Sequence, residues 1–155
     1  MFNLFKKKKK EEKPNLKRFL VDNLFYITTI NNFEKVESDK FRIATSNNSL
    51  QLSISNYVTR DNIGKINKDL MKTYIPMYDD FIQNGGFEPV DKLRLEDDFI
   101  SQAFKVGNET QYYLTTVKRI KDSYVTSNLI IKSFDTYNEI VSSILETTYN
   151  SIQEK

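Results

Sequence analysis

The sequence predicts an α+β fold, an antiparallel sheet of about six strands flanked by a long, proline-kinked central helix and a C-terminal helix. Three observations carry this reading. From Leu93 to Ser133, segments of polar-apolar alternation are separated by short turn signals. An earlier pair of segments, Phe41 to Thr45 and Leu50 to Tyr57, keeps period two across a polar link. Two stretches, around Ile63 to Ile82 and Thr136 to Ile152, switch to a spacing of three and four.

Taken in order, Leu16 to Ile30 is ambiguous. Leu16, Phe19 and Leu20 have helical spacing, whereas Phe25 to Ile30, with two threonines and a tyrosine, suits a strand. Phe41 and Ile43, then Leu50, Leu52 and Ile54, hold one apolar face across Ser46 to Ser49, as a hairpin with one buried side requires. Ile63, Ile66, Leu70, Tyr74, Tyr78, Phe81 and Ile82 form one helical stripe. Asp61 is the expected cap and Asn84-Gly85-Gly86 the stop. Pro76 lies inside the pattern, so a kink or break is expected there.

The return to strands begins at Leu93. Leu93 and Leu95 run on, across the acidic link Glu96 to Asp98, to Ile100, Phe104 and Val106, with Gln102 the odd member of that face. Gly107-Asn108 and Lys121-Asp122-Ser123 supply the reversals on either side of Thr110 to Lys121. Tyr124 to Ser133 is the last strand, its inner face marked by Val125, Leu129 and Ile131. Thr136 and Glu139 have capping-box spacing ahead of the stripe Tyr137, Ile140, Val141, Ile144, Leu145, Thr148 and Ile152.

Composition removes whole classes of chemistry. The 155 residues include neither cysteine nor histidine, which excludes disulfides, Cys-rich zinc sites and Ser-His or Cys-His catalysis. No cofactor motif is present; Gly85-Gly86 follows a helix instead of opening one, the reverse of a phosphate-binding loop. No apolar run approaches the ~20 residues that cross a bilayer. Asp79-Asp80, Glu88, Asp91 and Glu96-Asp97-Asp98 could in principle supply two carboxylates for hydrolysis or a hard cation, but they match no calcium-loop spacing and read as solvated charges.

Charge divides the chain into residues 1–14, a basic leader expected to be disordered, and residues 15–155, expected to form a single α/β domain. The leader holds six lysines and two glutamates, so of the total of +2 the remaining residues carry −2. A slightly acidic body argues against nucleic acid as a partner. The order of charges does not match a secretory signal, which fits a cytoplasmic protein. Phe2, Leu4 and Phe5 beside Lys6, Lys7, Lys8, Lys9 and Lys10 could rest weakly on an anionic inner-membrane surface. Elsewhere, Tyr113 and Tyr124, expected on alternate faces of neighbouring strands and rimmed by Lys118, Arg119 and Lys121, are the candidate partner-binding residues.

The order of strand pair, helix ending at Gly85-Gly86, antiparallel strands and final helix resembles the PsbP-like superfamily, which includes DcrB-like bacterial proteins and secretion-effector chaperones. The junction Leu129-Ile130-Ile131-Lys132-Ser133-Phe134 looks like that family's entry into its last helix. The resemblance covers about residues 33 to 152 and implies an α/β/α sandwich used for binding macromolecules, with no shared active-site motif to carry across. The leading expectation is therefore a small, cytosolic, non-enzymatic, cofactor-free protein-binding module, such as a toxin-immunity protein or an effector chaperone. The alternatives are a peripheral membrane protein tethered by the leader and a carboxylate-dependent hydrolase. The sequence gives no oligomeric state.

Overall fold

The computed structural model describes residues 15–155, so the leader and its proposed membrane contacts lie outside the described residues. Among the described residues, eleven strands form two antiparallel sheets. Strands β1 (Leu16–Val21) and β2 (Phe25–Ile30) pair with the terminal β11 (Gln153–Glu154) in a small sheet. The large sheet holds β3 (Phe33–Lys35), β4 (Phe41–Thr45), β5 (Leu50–Thr59), β10 (Ser123–Ser133), β9 (Glu109–Ile120) and β8 (Phe99–Val106) in that spatial order. Along the outer edge of β8 run two short strands, β6 (Glu88–Pro89) and β7 (Arg94–Leu95).

The large sheet thus has eight strands, more than the six expected. Part of the excess comes from the acidic link. The chain does not run straight through Glu96 to Asp98 but reverses there, the Glu96 N–H donating to the Phe99 carbonyl at 2.9 Å, so that β7 lies against β8. Leu16 to Val21, whose spacing suggested a helix, is a strand. Asp22 and Asn23 take positive φ of 50° and 60°, and Leu24 N–H closes the turn on the Val21 carbonyl at 2.9 Å. Asp and Asn tolerate that backbone, and its hand suits strand twist. Alternation then buries Phe19 and Val21 and leaves Leu16 and Leu20 outside.

The long central helix is replaced by α1 (Lys68–Met71), a 3₁₀ turn (Lys72–Tyr74) and α2 (Ile75–Gln83). Gly64 sits at φ 82°, outside helical space, and the cap is Asn67, whose Oδ1 accepts the Leu70 N–H at 3.1 Å, in place of Asp61. Pro76 falls in the first turn of α2, where its missing N–H costs no helical bond, so the chain breaks before it instead of kinking around it. The stop is as expected. Gly86 takes φ 71°, and a Cβ at Gly85 would lie 2.8 Å from the Phe81 carbonyl oxygen.

At the other end, α3 (Glu139–Asn150) is capped by Asn138, its Oδ1 accepting the Ile140 N–H at 2.8 Å, and not by a Thr136–Glu139 box. The start is two residues later than the box implied. As a result Ile140 turns outward, while Val141, Leu145, Thr148 and Tyr149 are buried.

Strand alternation sends two cores to opposite faces of the large sheet. On one face α3 and the small sheet cover Tyr112, Leu114, Leu129 and Ile131, with Phe25, Ile27, Val141 and Leu145 above them. On the other, α1 and α2 bring Met71 and Tyr78 onto Ile100, Phe104 and Val117. The Tyr78 hydroxyl lies 3.2 Å from the Ile100 carbonyl oxygen and 3.0 Å from Thr115 Oγ1, which donates to Asn128 Oδ1 at 2.7 Å. Burial pushes its phenol far above the ordinary value.

Candidate functional site

The outer edge of β8 is interrupted between β6 and β7, and side chains replace the missing ladder. Val90 N–H donates to the Ala103 carbonyl at 3.0 Å, the Ala103 N–H donates to Asp91 Oδ1 at 2.8 Å, and Gln102 Nε2 donates to the Asp91 carbonyl at 3.1 Å. A strand edge left unpaired costs its hydrogen bonds, so this substitution holds the bulge of residues 90–93 in place. Asp91 is thereby held at the sheet edge, where it lines the side covered by α3.

Between that bulge and α3 lies a cavity of about 200 Å³. Its walls include Phe99, Ser101, Tyr112 and Leu114 from the sheet, Ser142 and Leu145 from α3, and Tyr137 from the approach to that helix. Arg94 crosses from β7 to α3, Nη1 lying 2.8 Å from Glu146 Oε2 and Nε 3.2 Å from Glu96 Oε1. The Tyr112 hydroxyl accepts the Asn138 N–H at 2.8 Å, and its ring stacks on Tyr137 at 5.7 Å. Burial raises the Asp91 carboxyl above the usual carboxylate range, with the Ala103 N–H opposing it. The Tyr112 phenol is raised foremost by burial, and Tyr137 and the Asp91 charge add to that effect. Hydrogen bonding to Glu146 leads the upward shift at Arg94.

Tyr137 also borders a shallower groove, shared with Val90, Lys105, Glu109, Phe134 and Asp135. Here Phe134 is 63% exposed and Val90 39% exposed. Two large apolar side chains therefore stand in solvent beside the half-buried Tyr137. Ser133 is buried, so alternation forces Phe134 outward.

The residues singled out from sequence do not form one patch. Tyr113 and Tyr124 lie on the same face of the sheet, not on alternate ones, because Tyr124 pairs with Arg119 and Arg119 shares the parity of Tyr113. The Tyr113 ring packs 5.1 Å from Phe81 and 5.8 Å from Phe104, and burial raises its phenol. Arg119 lies over Tyr124 at 5.7 Å. Lys118 points to the opposite face, 4.8 Å from the Tyr149 ring, and Lys121 occupies the exposed turn at φ 57°. Of the carboxylates, Asp98 accepts the Tyr149 hydroxyl at 2.5 Å, and Asp79, Asp80 and Asp97 are exposed. Among the described residues no group of three or more acidic side chains is placed to hold a metal ion.

The solution structure of cyanobacterial PsbP (CyanoP) from Synechocystis matches the chain with a TM-score of 0.54 at 15% identity, covering 92% of this chain and 94% of that one. The fold is PsbP-like. The crystal structure of the Ran-binding protein Mog1p from Saccharomyces cerevisiae shares it, with a TM-score of 0.53 at 8% identity, covering 91% of this chain and 96% of that one. No protein-family model matches the sequence, and neither does any curated protein. Among the described residues no helix is long and apolar enough to cross a membrane.

Proposed function

We propose that this chain is a non-enzymatic protein-binding module whose partner docks at the end of the sheet framed by Val90, Phe134 and Tyr137. The observation that carries this is the pair of exposed apolar side chains there, Phe134 at 63% and Val90 at 39% exposure, beside the half-buried Tyr137. Isolated exposed apolar residues are ordinary, but several around one groove mark interaction sites. Lys105, Glu109 and Asp135 around the same groove supply the polar rim such sites have. A PsbP-like fold shared with a protein described as Ran-binding supports a binding role. A toxin-immunity or effector-chaperone role in the bacterial cytosol is the finer form of this reading, one that suits a small, cofactor-free binding domain.

The test is capture from lysate of the native cell with three tagged full-length proteins. Wild type is expected to retain a stoichiometric protein that Phe134→Asp with Val90→Asp loses. Arg119→Ala with Lys121→Ala is expected to retain it. If the second variant loses the protein and the first keeps it, the partner docks at the β9–β10 turn, beside Tyr124, and the groove assignment fails.

A further inference from the structure

We infer that the cavity between the Asp91 bulge and α3 binds a primary ammonium group on an aliphatic stem, the chemistry of a lysine side chain presented by the docked partner. The inference rests on the protein-binding reading and specifies what enters beside the groove, since Tyr137 borders both.

Charge decides the sign of the guest. Of the ionisable groups lining the cavity, Arg94 is held between Glu96 and Glu146, so its charge is already answered by two carboxylates. Lys92 is exposed. Among the described residues Asp91 makes no ion pair; its Oδ1 takes one backbone N–H, which leaves the second oxygen for a cation. A partly buried carboxylate gains most from a counter-charge, and its raised pKa reports the burial that a bound cation would offset.

Hydrogen-bonding geometry decides the type of cation. The residues with acceptor oxygens that line the cavity belong to separate elements: Asp91 on the bulge, Ser101 on β8, Tyr112 on β9, whose hydroxyl also accepts the Asn138 N–H, and Ser142 on α3. An ammonium presents three donors in different directions and suits that distribution better than the flat fork of a guanidinium. Phe99, Leu114 and Leu145 provide the apolar wall that a methylene stem covers. At about 200 Å³ the cavity is smaller than the roughly 300–1,000 Å³ typical of cofactor and drug sites, which favours a side chain.

The test titrates n-butylammonium, butyrate, capped lysine and putrescine into the ¹⁵N-labelled full chain, following the Ala103 and Asn138 amides, which donate to Asp91 and Tyr112. Saturable shifts with n-butylammonium and capped lysine, and none with butyrate, are expected. Asp91→Asn keeps an acceptor for the Ala103 N–H and should preserve the spectrum while weakening ammonium binding about tenfold or more, the loss of one charge-assisted hydrogen bond. Equal response to butyrate, no saturable shift, or unweakened binding by Asp91→Asn overturns the inference. Tighter binding of putrescine than of capped lysine assigns the cavity to free diamines and overturns the lysine assignment. A silent titration alongside Phe134-dependent capture would refute this inference alone.

Discussion

Asp91 shows how one side chain can serve the fold and carry an unanswered charge at once. Its carboxylate stands in for a strand carbonyl at Ala103, yet burial raises its pKa. The folded chain therefore holds this proton more tightly than the unfolded one. The contribution of this group to stability is fully present below the ordinary carboxylate pKa and is lost as pH rises through the raised folded value. Asparagine at 91 keeps the acceptor and does not titrate. Lys92, Arg94, Glu146, Tyr112 and Tyr137, the other ionisable groups facing the cavity, are the same in both proteins and cancel from the comparison. Wild type should gain stability relative to Asp91→Asn when urea unfolding is moved from about pH 7 to about pH 4. A difference that stays constant, or grows the other way, would show that the carboxyl is not desolvated.

Helix α3 tests whether periodicity alone identifies a buried face. Leu145 and Ile140 both belonged to the apolar stripe read from sequence, but Leu145 is 4% exposed and Ile140 69%. Leu145→Ala should cost about 2–5 kcal/mol, the range for emptying a packed site, and Ile140→Ala should stay within about 0.5 kcal/mol. Chemical denaturation of the two variants measures both, and similar losses would mean that α3 is rotated from its described position. The β4–β5 hairpin, the β8–β9–β10 meander with its turns at Gly107 and Lys121, and the existence of α3 were all legible, because local alternation and turn chemistry agree with the tertiary fold there. The long central helix was not. Its stripe is real, since Leu70, Tyr74, Tyr78 and Phe81 all meet the second core, but Gly64 and Pro76 forbid one continuous rod and the chain reaches that core in short pieces. The groove at Phe134 was equally hidden, because the Asp91 bulge that borders it exists only once β6 and β7 have paired with β8.

At the scale of the molecule, the small sheet explains how residues before β3 join a core whose other members come from the large sheet and α3. The chain's last residues return to the first hairpin: Gln153 pairs with Tyr26, the Thr28 N–H donates to Ser151 Oγ at 2.7 Å, and Lys155 N–H reaches the Leu24 carbonyl at 3.3 Å. Ile152 packs on the first core, and Thr148 in α3 donates to Thr29 in β2 at 2.9 Å. Neither β1 nor β2 pairs with a strand of the large sheet, so the hairpin is held by side-chain packing, by the Lys17–Glu34 ion pair and the Asn56–Asp22 hydrogen bond, and by this terminal clasp. Deleting residues 151–155 removes one half-buried isoleucine and several backbone partners while leaving the large sheet intact. The cost should be about 2–3 kcal/mol, from the partial burial of Ile152 and the net worth of the lost hydrogen bonds. For a chain of this length that lowers Tm by about 4–12 °C. Hydrogen exchange should separate the two sheets. The Thr28 amide loses its acceptor and should exchange faster, while the amides of Leu114 and Leu129 in the centre of the large sheet stay protected until global unfolding. An unchanged Tm with unchanged exchange at Thr28 would show that the hairpin needs no clasp, and loss of protection across both sheets would show that the terminal strand is integral to the whole core.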